Sequence, residues 1–133
     1  METLGVVLLV EDNLVNQKLV QALLLNKGFA VDIVENGREA LWALEHRAYG
    51  AVLMDMQMPI MDGLEATRTI RRDARFTELP IIALTANAMV GDRERCIEAG
   101  MNDYISKPID RDKLFEVLRK WISNTSRGPV AEQ

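Results

Sequence analysis

The first ordered pattern in the chain is Val6-Val7-Leu8-Leu9-Val10-Glu11-Asp12, five aliphatic residues that end on two acids. A strand with one face in water would alternate apolar with polar residues, and this run does not. Continuous apolar runs of this length are typical of parallel strands that are covered by helices on both faces. The run therefore predicts a buried strand whose carboxyl end carries Glu11 and Asp12.

Four more segments read as strands, two of them strongly apolar and two weaker. The predicted strands are Val6–Val10, Ala30–Val34, Ala51–Met54, Ile81–Leu84 and Asp103–Ser106. Segments with helical periodicity separate them, at 14–27, 37–46, 62–73 and 90–99, and a last helix has Leu114, Leu118, Trp121 and Ile122 on one stripe. In the first helix we assign Leu19 and Leu23 to the apolar stripe. Strand and helix alternate five times, which predicts an α/β fold with one doubly wound, five-stranded parallel sheet and five helices.

Helix ends can also be predicted. Asp62 is expected to cap the third helix, and Gly28 and Gly100 are expected to end the first and fourth helices. The adjacent arginines Arg71 and Arg72 are expected to lie on a solvated helix face. Cys96, the one cysteine, is expected to be a small buried residue.

The 133 residues fit one domain, predicted at 1–123, followed by a polar segment at 124–133 that we interpret as a disordered tail or linker stub. The net charge of −4 argues against nucleic-acid binding, which needs a basic face. The sequence has no stretch of about 18 apolar residues and no recognisable secretory signal, so we expect no membrane contact by this domain. One cysteine and no signal together predict a cytoplasmic location.

The residues that follow the strands carry the chemistry. Ligands of such sheets bind outside the carboxyl ends of the strands. Glu11 and Asp12 follow the first strand, Asp55 the third, Thr85 the fourth and Lys107 the fifth. Each alone reads as an ordinary loop acid, strand-end hydroxyl or surface cation. Together at one edge of the sheet they predict a site.

Three clustered carboxylates need a positive partner, because two unit charges about 4 Å apart cost roughly 4 kcal/mol at an effective dielectric near 20. Hard oxygen ligands in an open site suit Mg²⁺, which also welcomes a phosphate oxygen. A carboxylate, a divalent cation, a lysine and a hydroxyl together indicate phosphoryl transfer, with Asp55 as the nucleophile that forms an acyl phosphate.

The motifs resemble those of receiver domains of two-component response regulators. The resemblance covers residues 6 to about 122 and rests on Leu9-Val10-Glu11-Asp12-Asn13, Met54-Asp55-Met56-Gln57-Met58-Pro59, Met61-Asp62-Gly63, Leu84-Thr85-Ala86 and Lys107-Pro108. It implies a flavodoxin-like receiver fold with strand order 2-1-3-4-5. The stretches 10–17, 83–89 and 100–104 are most similar to receivers of hybrid sensor histidine kinases.

The resemblance also implies roles at the site. Asp55 would be the phosphoacceptor. Mg²⁺ would be held by Glu11, Asp12 and Asp55, directly or through water, and by the backbone carbonyl of Gln57. A second hypothesis gives the Gln57 side chain a part in positioning the water that hydrolyses the phosphoryl group.

Two further positions complete the phosphoryl site, and one forms the switch. Thr85 would hydrogen-bond the phosphoryl group, and Lys107 would pair with it, with the Lys107–Pro108 bond in the cis form. Tyr104 matches the switch aromatic of the family, although a half-buried strand tyrosine would look the same. Phosphorylation would then reshape the face of the fourth helix, last strand and last helix for a downstream partner.

The expected upstream partner is a histidine kinase or a histidine phosphotransfer domain. The only histidine, His46, reads as a solvated helix-end residue, so the donor histidine lies elsewhere. The domain is expected to signal rather than to act as an enzyme, as part of a hybrid kinase or phosphorelay, or alternatively as a stand-alone regulator.

Three other functions are alternatives to this interpretation. A phosphohydrolase that forms an aspartyl phosphate would need a second acid where the chain has Gln57. A flavin-binding module would need a phosphate-binding first loop, and Glu11 and Asp12 would repel phosphate there. A purely structural domain would carry the same residues with a silent site.

Overall fold

Five parallel strands form a single sheet in the computed structural model, which describes residues 5–56, 61–86 and 90–127. The strands are β1 (Val6–Val10), β2 (Ala30–Val34), β3 (Ala51–Asp55), β4 (Ile81–Thr85) and β5 (Asp103–Ser106). Their order across the sheet is β2-β1-β3-β4-β5, as the resemblance implied. The strands β3 and β4 each run one residue further than the apolar pattern indicated, so Asp55 and Thr85 are the last residues of their strands.

The helices connect the strands in sequence order. They are α1 (Leu14–Lys27), α2 (Gly37–His46), α3 (Gly63–Arg71), α4 (Val90–Ala99) and α5 (Arg111–Arg127), with a short 3₁₀ helix at Ala74–Phe76 after α3. The last helix reaches into the segment 124–133 that we interpreted as a tail or linker, and residues 128–133 lie outside the described part of the chain. The domain boundary at residue 123 stays a prediction.

Successive residues of the central strands pack on opposite faces of the sheet. In β1, Leu8 and Val10 belong to the core beneath α2, α3 and α4, whereas Val7 and Leu9 belong to the core beneath α1 and α5. All four side chains are fully buried. Burial of an aliphatic side chain of this size contributes about 1.5–3 kcal/mol relative to exposure. Two covered faces explain why the strand is apolar at every position.

The predicted helix ends are confirmed by their hydrogen bonds. The Asp62 side chain accepts from the backbone N–H of Glu65 at 2.9 Å, which caps α3. Gly28 ends α1 at a φ of 108°, a left-handed conformation that costs glycine little because it has no Cβ. Gly100 follows α4 at a φ of 112°. None of the described helices is both long enough and apolar enough to cross a bilayer.

The assignment of Leu19 to the buried stripe of α1 was wrong. Val20 and Leu24 face the core, while Leu19 is 43% exposed and Leu23 is only partly buried. Apolar residues are spread around this helix, so several stripes fit its sequence equally well. The last helix behaves as predicted, with Leu114 and Leu118 fully buried.

Arg71 is not the solvated residue that we expected. It is half-buried, and its guanidinium donates to the carbonyls of Gly100 (2.9 Å) and Phe76 (2.6 Å) and to the Asn102 side chain (2.8 Å). The same Asn102 oxygen accepts from the N–H of Ile81, at the start of β4. Burial lowers the pKa of Arg71. Arg71 therefore ties α3 to the end of α4 and to the starts of β4 and β5, at the edge of the sheet where the strands begin.

Candidate functional site

The carboxyl edge of the sheet brings together five of the predicted site residues. Glu11 and Asp12 follow β1, Asp55 ends β3, Thr85 ends β4 and Lys107 follows β5. The register explains this convergence, because Val10 lies beside Met54, Asp55 beside Leu84, and Thr85 beside Ser106. Parallel strands in this register end at a common level, so residues far apart in sequence become neighbours.

Three carboxylates lie close enough to share one cation. Oxygen atoms of Glu11, Asp12 and Asp55 all fall within 4.8 Å of one another. The Glu11 side chain is 1% exposed and Asp55 is 4% exposed, whereas Asp12 is exposed. The cluster therefore has two buried acids at its base and one acid at its rim, open to an incoming ligand.

Lys107 supplies the positive charge that the sequence predicted. Its Nζ atom lies 3.2 Å from Asp55 Oδ1, to which it donates a hydrogen bond, and 3.3 Å from Glu11 Oε1. The Lys107 side chain is 21% exposed, so the pairing is partly shielded from water. One lysine offsets one of the three carboxylate charges, which leaves the cluster with an excess of negative charge.

The pKa of Glu11 reflects both its burial and this excess of negative charge. Burial raises its pKa, the negative charge of Asp55 raises it further, and the backbone N–H of Asn13 and the charge of Lys107 oppose the rise. Glu11 Oε1 has no hydrogen-bond partner within the described residues, although the Nζ atom of Lys107 lies 3.3 Å from it. A buried carboxylate oxygen without a donor, beside two more carboxylates, fits a hard divalent cation such as Mg²⁺.

The loop after β1 is held from both sides. The Glu11 N–H donates to the carbonyl of Val34 in β2, and Glu11 Oε2 accepts from the N–H of Asn13 at 3.1 Å. The buried side chain of Gln17, in the first turn of α1, donates to the Glu11 carbonyl at 2.6 Å. Gln17 was not predicted as a site residue, because a glutamine near a helix start carries no signal of a contact six residues back.

The loop after β3 depends on a glycine. Gly63 donates its N–H to the Met56 carbonyl at 3.3 Å. A Cβ at Gly63 would overlap the Asp55 carbonyl oxygen and lie 3.1 Å from both the Asp55 carbonyl carbon and Met54 Cγ. The start of α3 therefore packs directly against the backbone of Asp55, which only glycine permits.

Four sequence predictions concern residues around this centre. Thr85 is 3% exposed, and its carbonyl accepts from the N–H of Lys107 at 2.7 Å. The Lys107–Pro108 bond is cis, as the resemblance implied. Tyr104 is half-buried on β5 and packs against the core on the α4 side of the sheet. The predicted ligand Gln57 lies outside the described residues.

The histidine and the cysteine lie where the sequence predicted them. His46 ends α2 at the opposite edge of the sheet, exposed, with its ring stacked on Trp42 and Nδ1 2.7 Å from the Trp42 carbonyl. Cys96 is buried, with its sulfur 3.5 Å from that of Met56. Met54 and Met56 are buried packing residues.

Comparison with known proteins agrees with this geometry. The sequence profile of the response regulator receiver domain matches residues 7–119. The chain belongs to the response regulator receiver domain family. It is 45% identical over 125 residues to hybrid signal transduction histidine kinase I of Dictyostelium discoideum, covering 87% of the chain and 7% of that kinase. The chain spans between 5% and 17% of the length of its first curated relatives, mostly sensor or hybrid histidine kinases.

Two solved structures place the receiver domain among its relatives. The receiver domain of sensor histidine kinase PA1611 from Pseudomonas aeruginosa PAO1 is 48% identical, with a TM-score of 0.84 over 90% of this chain and 98% of that one. That structure has a magnesium ion coordinated in its active-site cleft. The receiver domain of Ssk1 from Saccharomyces cerevisiae, crystallised with the histidine phosphotransfer protein Ypd1, is 28% identical, with a TM-score of 0.82 and 87% of each chain covered.

The contact of Gly63 with Asp55 gives a stability test. We expect Gly63→Ala to lower the free energy of unfolding by about 1–3 kcal/mol, because the new methyl group forces the start of α3 away from β3. Gly50→Ala is the matched control, since its nearest neighbour would be an ordinary 3.7 Å away. Urea denaturation measures both variants, and equal stability of the two would contradict the packing described here.

Proposed function

We propose that this receiver domain accepts a phosphoryl group from a phosphohistidine onto Asp55 in a Mg²⁺-dependent reaction and then signals or relays it. The observation that carries the proposal is the Asp55 carboxylate itself, which lies with Glu11 and Asp12 inside one 4.8 Å cluster and 3.2 Å from Lys107. The similarity of the chain to hybrid kinases favours a role in a phosphorelay, and a stand-alone regulator is the alternative.

The proposed metal ligands are Glu11, Asp12, Asp55 and the backbone carbonyl of Gln57. Mg²⁺ would offset the repulsion between the nucleophilic carboxylate and the phosphoryl oxygens. Two of these acids are buried, so the cation adds charge where water cannot screen it well. The magnesium in the cleft of the PA1611 receiver supports this assignment by analogy.

The chain's own residues then perform the transfer. An Asp55 carboxylate oxygen attacks phosphorus, the phosphorus–nitrogen bond to the donor imidazole breaks, and its electron pair stays on that nitrogen. Lys107 pairs with the transferred group. The Thr85 hydroxyl donates to a phosphoryl oxygen. The domain is therefore a phosphoacceptor that assists its own modification rather than an enzyme with a separate substrate.

We also propose that Thr85 and Tyr104 transmit the change. Tyr104 lies on β5, and its backbone N–H donates to Asp103, whose other oxygen accepts from the Trp121 indole of α5. A polar depression of about 320 Å³ opens between α4, β5 and α5. Its charged lining residues are Arg93, Asp103, Lys113, Glu116 and Lys120. This face suits a downstream partner that senses movement of Tyr104.

The phosphohistidine partner is expected at α1. Leu14 and Val15 are 62% and 74% exposed in the first turn of α1, directly after the loop that carries Asp12. Leu19, one turn on, is also exposed. A donor histidine that reaches Asp55 has to cover this rim, and an apolar rim favours a protein surface over water. The cytoplasmic location expected from the sequence stays a prediction.

The phosphorylation of Asp55 is tested by measuring the mass of the intact protein. Incubation of the parent chain with Mg²⁺ and phosphoramidate, a small donor with a phosphorus–nitrogen bond, should add one phosphoryl group, because Asp55 is the nucleophile. Asp55→Asn should add none, and chelation of Mg²⁺ should abolish the gain in the parent. Intact-protein mass spectrometry reads each case. A parent chain that gains nothing would refute the proposal.

The switch is tested with beryllofluoride, which mimics a phosphoryl group on a carboxylate. Amide NMR shifts of the parent should change both at the loops beside Asp55 and along β5 and α5. In Tyr104→Ala the changes should stay near Asp55, because the side chain proposed to carry the change is removed. Tyr49→Ala is the control, since Tyr49 lies at the opposite edge and donates to Asp32. If Tyr104→Ala leaves the distant changes in place, the tyrosine step is wrong.

The proposed docking rim, formed by Leu14, Val15 and Leu19, is tested by comparing two phosphoryl donors. With a phosphorylated histidine phosphotransfer domain that modifies the parent chain, Val15→Glu should slow transfer at least about tenfold, because a charge enters an apolar contact. With phosphoramidate the rate should stay within about twofold. Leu25→Glu, on the same helix but about 15 Å from Val15, is the control and should keep both rates. Equal slowing by both variants would exclude a localised rim.

A further inference from the structure

Gln17 is the one buried polar side chain of α1 in the described part of the chain. It is 8% exposed and lies on the helix face that also buries Val20 and Leu24. An amide among aliphatic neighbours is unfavourable unless it forms hydrogen bonds. Gln17 forms one across the sheet edge, from its Nε2 to the backbone carbonyl of Glu11 at 2.6 Å.

That bond acts on Glu11, whose backbone is held on both sides of the residue. Glu11 is fixed on its amino side, where its N–H donates to Val34 of β2 at 3.0 Å. On its carboxyl side the chain turns out of the sheet, and the Gln17 side chain holds the Glu11 carbonyl there. The backbone N–H of Gln17 also donates to the Asn13 carbonyl at 2.9 Å. One residue of α1 therefore holds both ends of the three-residue loop.

The direction of the Glu11 side chain follows from this support. Glu11 Oε2 accepts from Asn13, and Oε1 is left without a hydrogen-bond donor among the described residues, inside the cluster with Asp12 and Asp55. If the Glu11 carbonyl lost its donor, it would be buried and unsatisfied, and the loop would turn to find water. The carboxylate would turn with it.

We propose that Gln17 is a positioning residue for the divalent cation, which it serves by fixing the Glu11 backbone and so holding the Glu11 carboxylate ready to bind. This inference rests on the proposed function, because it assumes that the acidic cluster binds Mg²⁺. Groups that orient metal ligands without touching the metal commonly change affinity by 10- to 100-fold. A purely structural Gln17 would stabilise the fold and leave the affinity unchanged.

The test is calorimetric titration of the metal-free chain with MgCl₂. Gln17→Met keeps the length of the side chain and removes the donor, so the Kd for Mg²⁺ should rise at least about tenfold. Gln21→Met is the matched control, because Gln21 is half-buried one turn further along α1, and its Kd should stay within twofold of the parent value. Thermal melting without Mg²⁺ reports any separate loss of stability.

Each outcome decides between the two claims. A parent chain that does not bind Mg²⁺ would refute the proposed function itself. A parent that binds, with Gln17→Met within twofold of it, would overturn the role of Gln17 alone. Should Gln17→Met fail to fold, Gln17→Asn keeps the amide one methylene short of the Glu11 carbonyl. Its Kd should rise in the same direction, and an unchanged Kd there would also overturn the inference.

Discussion

Two carboxylates, Glu11 and Asp55, are buried side by side at the end of the sheet, and much of the surrounding structure compensates for their repulsion. Like charges about 4 Å apart cost roughly 4 kcal/mol at an effective dielectric near 20. Lys107 lies 3.2 Å from one and 3.3 Å from the other, so a single cation serves both. Burial still raises the pKa of Glu11. The site therefore keeps an excess of negative charge that a bound cation would neutralise.

A rigid backbone is needed to keep these carboxylates close together. Carboxylates on free loops would separate or turn to water, and the repulsion would relax. Here Asp55 ends a strand that is hydrogen-bonded on both sides, and Gly63 packs against its carbonyl. Glu11 is held by β2 before it and by Gln17 after it. The rigid edge of the sheet therefore holds the repelling carboxylates close together. A ligand that neutralises their charge relieves this repulsion when it binds.

Much of the fold could be predicted because the central strands are apolar at every position. The run Val6–Val10 is typical of a strand covered on both faces, and the structure confirms that prediction. The buried face of α1 could not be predicted, since its apolar residues are spread around the helix. Leu19 was assigned wrongly for that reason. Arg71 was missed because its burial depends on carbonyls that only the tertiary structure brings near it.

The acidic cluster was easier to predict than its support. Strand ends in a doubly wound sheet meet at one edge, so the order of Glu11, Asp12, Asp55, Thr85 and Lys107 along the chain already implied their meeting. The structure adds the distances that join them. The supporting contacts leave no such pattern, since neither a glutamine in a helix nor a glycine after a cap differs in sequence from many others.

The contacts of α4 limit how a change at Asp55 can spread. Its end is held through Gly100, whose carbonyl accepts from Arg71 at the edge of the sheet opposite the site. Nearer the site, the sulfur of Cys96 lies 3.5 Å from that of Met56, the residue directly after Asp55. Sulfur contacts are soft and tolerate small displacements, whereas the arginine bonds are directional. A movement of the strand end at Asp55 therefore reaches α4 through a soft contact at Cys96, about one turn before the end of the helix that Arg71 holds.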